Sequence, residues 1–191
     1  MFGGRDPGKT PEQRVSLIQE ATPADTTLAD RLLRLRSNEG GVTVALDPPA
    51  GERPRLTLGA PLHFRVQSAG GGRLLLFALS PDGSVACLYP NRLRPEVLLA
   101  KSGSLVLPSD ADTQAGIVFS AQEPAGRQWV FALVSSQELP TLPAGDDSTG
   151  LRQYSPGASA QAFADWLEKL RKDGSPETRM AALDFEIGAA R

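Results

Sequence analysis

The chain has 191 residues, 40% hydrophobic and 22% charged, which is enough apolar material for one domain with a substantial core and too much for a disordered chain. Twenty Lys and Arg against 22 Asp and Glu leave a net charge of −2, so no cationic field exists to hold a nucleic acid or an anionic bilayer. The one cysteine, Cys87, has no partner for a disulfide within the chain, and the longest apolar run, Leu74 to Leu79, falls far short of the roughly 18 residues of a membrane helix.

Residues 1–25 are rich in Gly, Pro, Thr and charge and read as a flexible leader. Within them GGRDPGKT, Gly3 to Thr10, satisfies G-x-x-x-x-G-K-[ST]. A working phosphate loop needs a buried strand before the first glycine and a helix opening at Gly-Lys-Thr. Only Met1 and Phe2 precede Gly3, and Pro11 removes an amide from the first turn. VTVALD, ending in Asp47, imitates the strand that presents a carboxylate to Mg²⁺, yet the residues downstream of it read as hairpins without crossover helices. The match is accidental on this reading, and no nucleotide, metal or other cofactor is expected.

Residues 26–40 form an amphipathic helix, with Leu28, Leu32 and Leu35 at i, i+4, i+7 and Asn38, Gly40 and Gly41 as its stop. From Gly41 the period becomes 2. Val42, Val44 and Leu46 share one face, as do Leu56 and Leu58, then Leu62, Phe64 and Val66. RLLLFALS is apolar nearly throughout, which fits a strand covered on both faces. Pro81-Asp82-Gly83 turns the chain back into SVACLYPN, and further strands are expected at GSLVLPS, AGIVFSAQ and RQWVFALVSS. Short strands at this spacing describe a mainly β protein, an antiparallel Ig-like β-sandwich over 41–142. Residues 143–191 are expected to be a polar loop and a C-terminal helical extension. Phe163, Trp166, Leu167 and Leu170 mark its helix, Gly174 its cap, and Ala182 to Ile187 another helix or a strand. The two flanking helices either pack together on one sheet or bind a partner helix.

Candidate chemistry is sparse. His63, the sole histidine, lies opposite Leu62, Phe64 and Val66 and reads as an exposed strand residue, since one His and one Cys do not make a zinc site and no G-x-S-x-G frame accompanies a serine. Cys87 reads as a core residue. Asp110, Asp112, Asp146 and Asp147 do not complete a Ca²⁺ loop and read as solvated turns, Glu168 and Asp173 as surface charge. Trp129 and Trp166 are core anchors or markers of an interaction face.

From Leu56 to Leu139 the order of motifs is more specific. Asp82-Gly83, then Leu88-Tyr89-Pro90-Asn91, then Leu105 to Pro108, then Pro124 to Ser135 together resemble the bacterial domain of unknown function 4384 family. The departures are Gln128 where an acidic residue is common and GGGRLLL where a Tyr-Leu pair is usual. In the motif Leu88 continues the core, Tyr89 covers the sheet end with its hydroxyl wet, Pro90 ends ladder donation, and Asn91 closes a turn. The resemblance implies a module appended to Ser/Thr kinases and caspase-like peptidases, with no catalytic residues to carry over. The expectation is a non-enzymatic protein-interaction or sensory module of a bacterial envelope, signalling or secretion assembly, in periplasm or cytoplasm. Its possible interaction surface comprises Tyr89, Asn91, Trp129 and Trp166. The alternative is a small-molecule or glycan-binding sandwich that stacks ligands on Tyr89 and Trp129.

Overall fold

The computed structural model describes residues 23–37, 40–51, 54–173 and 178–188. The expected leader up to residue 22, with Gly3 to Thr10 in it, and the stops at Asn38 and Gly174 lie outside these. In chain order the elements are α1 (Pro23–Arg34), β1 (Val42–Leu46), β2 (Arg55–Thr57), β3 (Phe64–Ser68), β4 (Gly72–Leu79), β5 (Val85–Tyr89), β6 (Leu98–Leu99), β7 (Gly103–Leu107), α2 (Asp110–Gln114), β8 (Gly126–Ser135), β9 (Arg152–Tyr154), α3 (Ala158–Asp173) and β10 (Arg179–Gly188).

The strands form two sheets. The small one runs β1-β3-β7, the large one β2-β10-β8-β4-β5-β9, with β6 also on β4. Every pairing is antiparallel except β2 with β10. The expected mainly β sandwich with helices at both ends is therefore present, with sheets of unequal width.

Period 2 puts one face of each small-sheet strand inward: Val42, Val44 and Leu46 of β1, Phe64 and Val66 of β3. These meet Leu74, Leu76, Val130, Ala132, Val134, Phe185 and Ile187 from the large sheet in one core. The opposite face of the large sheet, with Leu75, Phe77, Phe131, Leu133 and Met180, is covered by Leu28 and Leu32 of α1 and Phe163, Ala164 and Leu167 of α3. The molecule thus has three layers, small sheet, large sheet and helix pair. This is why β4 and β8 are apolar without alternation: each residue faces one core or the other.

The helices pack together on one sheet, which decides between the two expectations for them. Phe163 stands edge-on to Phe77 at 5.1 Å, and Phe77 stacks on Phe131 at 5.0 Å. Arg31 of α1 reaches across to Asp165 at 2.6 Å and Glu168 at 2.8 Å on α3. Glu168 is thus a helix-to-helix clasp and not free surface charge, and the two carboxylates hold the Arg31 guanidinium more firmly protonated than usual.

Two stretches differ from expectation. AGIVFSAQ keeps alternating burial, with Ile117, Phe119 and Ala121 inside and Val118 67% exposed. It nevertheless forms no ladder: Leu62 N–H donates to Phe119 C=O at 2.9 Å and Ala121 N–H to Ala60 C=O at 2.8 Å, so its bonds go to the loop before β3. The short helix α2 precedes it. The tail beyond Leu142 supplies strands β9 and β10 as well as its helix, and β10 lies inside the large sheet between β2 and β8. Between the alternatives open for Ala182 to Ile187, strand is the outcome.

Truncating Phe163 removes the ring that fills the space over Phe77, so Phe163→Ala is expected to cost about 3–5 kcal/mol in urea unfolding. Arg31→Ala, which removes partly solvated ion pairs, is expected to cost no more than about 1 kcal/mol in the same measurement.

Candidate functional site

The segment after β5 is set by Asn91, which is buried. Its amide nitrogen donates to Leu88 C=O at 2.7 Å, and its Oδ1 accepts from the N–H groups of Leu93 at 3.0 Å and Arg94 at 2.9 Å. Its own N–H donates to Arg94 C=O at 3.0 Å. One short side chain thus satisfies three main-chain groups of a reversing chain, the turn-closing role its place in the motif predicts. Asn91 is consequently scaffold first and surface second.

Tyr89 departs from expectation. In place of a wet hydroxyl, the side chain is fully buried, edge-on to Phe119 at 5.7 Å, and the hydroxyl is enclosed without a hydrogen-bond partner among the described residues. Burial, reinforced by the negative charge of Asp112, pushes the phenol above its usual range. Tyr89 therefore offers no ring to a ligand or partner.

Asp112 is also not the solvated turn residue expected. It is buried, accepts from Arg94 at 2.6 and 2.8 Å, and closes a capping box with Ser109, whose hydroxyl donates to it at 2.8 Å. Burial works against its charge, but the bonds from Ser109 and then Arg94 outweigh it and hold the carboxyl below the usual range. The Arg94–Asp112 pair fastens α2 to the turn after β5, with the Arg94 guanidinium 5.8 Å from the centroid of the Tyr89 ring.

Beside this turn opens a cleft of about 420 Å³. Leu74, Pro90, Val97, Leu139 and Leu142 supply its apolar floor. On its rim Arg73 pairs with Glu96 at 2.8 Å and Arg152 with Asp147 at 2.9 Å. Arg92 and Glu138 also line it and form no ion pair among the described residues. Its outer wall, the loop before β9, is held by the Tyr154 hydroxyl donating to Pro143 C=O at 3.2 Å. Gly145 lets that loop lie against β9, since a Cβ there would sit 2.7 Å from Gln153 O. Sequence reading missed this site because its floor and rim come from segments up to 79 positions apart, as between Arg73 and Arg152.

The remaining candidates lie elsewhere. Trp129 is half-buried on the helix-facing side of β8, with the Arg127 guanidinium 4.9 Å from its ring centroid and Arg127 paired to Asp184 at 2.9 Å. Trp166 is half-buried and stacks on Phe163 at 5.8 Å. Neither lines the cleft at Asn91. His63 is half-buried in the stretch before β3, and Asp47 is paired with Arg65 at 2.5 Å. Asp146 folds onto Ser148 N–H at 2.8 Å in an exposed turn. Cys87 is a core residue, and burial pushes its thiol up to about 12. No group of three or more His, Cys, Asp or Glu able to hold a metal ion occurs among the described residues.

Residues 55–138 match the family model described as Domain of unknown function (DUF4384), so the resemblance carried by Leu88-Tyr89-Pro90-Asn91 is shown over that span. It runs from β2 to just past β8 and includes the turn and one side of the cleft. No curated protein and no solved structure matches the chain.

Removing the enclosed Tyr89 hydroxyl relieves an unmet polar group, so Tyr89→Phe is expected to leave stability unchanged or raise it by about 1 kcal/mol in urea unfolding. Asp112 contributes stability that is present above its unfolded pKa of about 3.9 and lost as pH falls through its lower folded value. Asp112→Asn is expected to be less stable at neutral pH and to flatten the acid limb of the stability curve below about pH 4. An acid limb identical in both proteins would refute the role given to this carboxylate.

Proposed function

We propose that the chain is a non-catalytic recognition module of a bacterial signalling, secretion-linked or envelope assembly, and that it takes a protein partner in the cleft beside Pro90 and Asn91. The observation that carries this reading is the composition of that cleft. An apolar floor is ringed by charges that already neutralise one another, except for Arg92 and Glu138, which form no ion pair among the described residues. Such a surface suits a polypeptide that buries an apolar side chain and meets the two charges with its own.

The groups nearest to chemistry are committed to structure. Asp112 and Asp47 are ion-paired, Cys87 is a buried, protonated thiol, and His63 lies across from Asp47, whose N–H donates to the His63 C=O at 2.8 Å while its carboxylate is held by Arg65. The glycan reading loses its support, because the Tyr89 ring is inside the protein and one face of Trp129 carries Arg127. The assignment to a bacterial assembly rests on the family resemblance. No helix among the described residues is long and apolar enough to cross a membrane.

A photo-crosslinking residue in place of Arg92 in the full chain, expressed in its source bacterium, is expected to capture a discrete protein, and the same residue at Lys169 on α3 is not. Glu138→Arg, which reverses an exposed rim charge, should abolish the capture with the melting temperature unchanged. Capture that survives Glu138→Arg would refute the cleft. Reproducible turnover of any substrate, lost in His63→Ala, would refute the non-catalytic reading.

A further inference from the structure

A second surface lies on the far side of the large sheet, along the outer edge of β10. Met180 N–H donates to the Ser37 hydroxyl at 2.9 Å, and Ser37 N–H donates to Met180 C=O at 2.9 Å. Six residues on, Glu186 N–H donates to Pro54 C=O at 2.9 Å, where β2 begins its short parallel pairing with 186–188. Main-chain groups alternate sides along a strand, so Met180 and Glu186 facing outward require Ala182 and Asp184 to face outward too. Among the described residues nothing bonds to their N–H and C=O groups on that side. Among the described residues the edge of β10 is thus plugged at both ends and open for two residues between.

That opening adjoins a groove of about 680 Å³ between α1, β1 and β10, lined by Leu33, Val42, Met180 and Ala182, with Arg34, Arg36 and Asp30 beside them. Arg179, next to Met180 in the chain, is outside the lining, its guanidinium donating to Gly40 C=O at 3.1 Å. Arg34, Arg36 and Arg179 form no ion pair among the described residues. Among the lining residues two cations, Arg34 and Arg36, stand against one carboxylate, Asp30, so on a chain whose net charge is −2 this groove is locally positive.

We propose that this groove binds an extended acidic segment of a partner protein as an added strand on β10. The N–H and C=O groups of Ala182 and Asp184 provide the main-chain pairing. A strand laid there turns alternate side chains toward the helix layer, where carboxylates meet Arg34 and Arg36, and toward Val42, where apolar side chains fit. The site is separate from the cleft at Asn91, and each stands if the other fails.

The test uses the full chain and a labelled peptide of alternating valine and glutamate, about eight residues long, with a valine–lysine peptide as control. Fluorescence anisotropy is expected to show saturable binding of the glutamate peptide only. Hydrogen exchange at Ala182 and Asp184, fast in the free protein, is expected to slow on binding. Arg34→Glu with Arg36→Glu should weaken binding at least about tenfold, as loss of complementary charge demands. Ala182→Pro, which removes an outward N–H and no bond to β8, should abolish it. If the proline variant fails to fold, the double charge reversal still decides. No binding at millimolar peptide, equal binding of the lysine peptide, or binding without slowed exchange at 182 and 184 would each overturn the proposal.

Discussion

Burial of the large sheet on both faces is the constraint on which everything else in this protein rests. Its central strands β4 and β8 send alternate side chains into two separate cores. A sheet of this kind is stable only while both covers are in place. Each large side chain it buries contributes about 1.5–3 kcal/mol, and the helix-facing side alone holds Leu75, Phe77, Phe131 and Leu133. Uncovering that face would forfeit about as much as the whole net stability of a typical domain, roughly 5–15 kcal/mol. Gly72 shows how tightly the centre is drawn: a Cβ there would lie 2.3 Å from Ser135 O, so β4 can begin beside the end of β8 only with glycine.

The span matching the family model does not contain its own second cover. Residues 55–138 hold β4, β5 and β8, but α1, α3, β9 and β10 come from outside it. The cleft at Asn91 arises at this junction. Pro90, Asn91 and Val97 come from the matched span, while Leu142, Asp147 and Arg152 come from the segment beyond it. The cleft is thus complete only where the matched span and the segment after it meet.

Much of this was legible in the residues, and the failures have physical causes. The unbroken apolar run at Leu74 to Leu79 announced a strand buried on two faces, and Asn91 announced a turn, because both signals are local. The alternation in AGIVFSAQ was real but reports only burial, and the partners of its main-chain groups were set by the loop at Ala60 to Leu62. In the tail, Leu183, Phe185 and Ile187 alternate while Met180 and Leu183 also suit a helix, so the choice fell to the open side of β8. Glu168 and Asp112 looked like solvated carboxylates because their partners, Arg31 and Arg94, lie 137 and 18 positions away. The cleft was invisible for the same reason.

The dependence of the large sheet on its second cover can be measured directly by ending the chain at Leu142, which deletes β9, α3 and β10. Urea unfolding followed together by near-ultraviolet circular dichroism and tryptophan fluorescence should then show no cooperative transition, with apolar-dye binding already high in water. A shortened chain that unfolded in one sharp step, with slow amide exchange in β4 and β8, would mean that the small sheet alone sustains the fold and that the helix layer is an accessory.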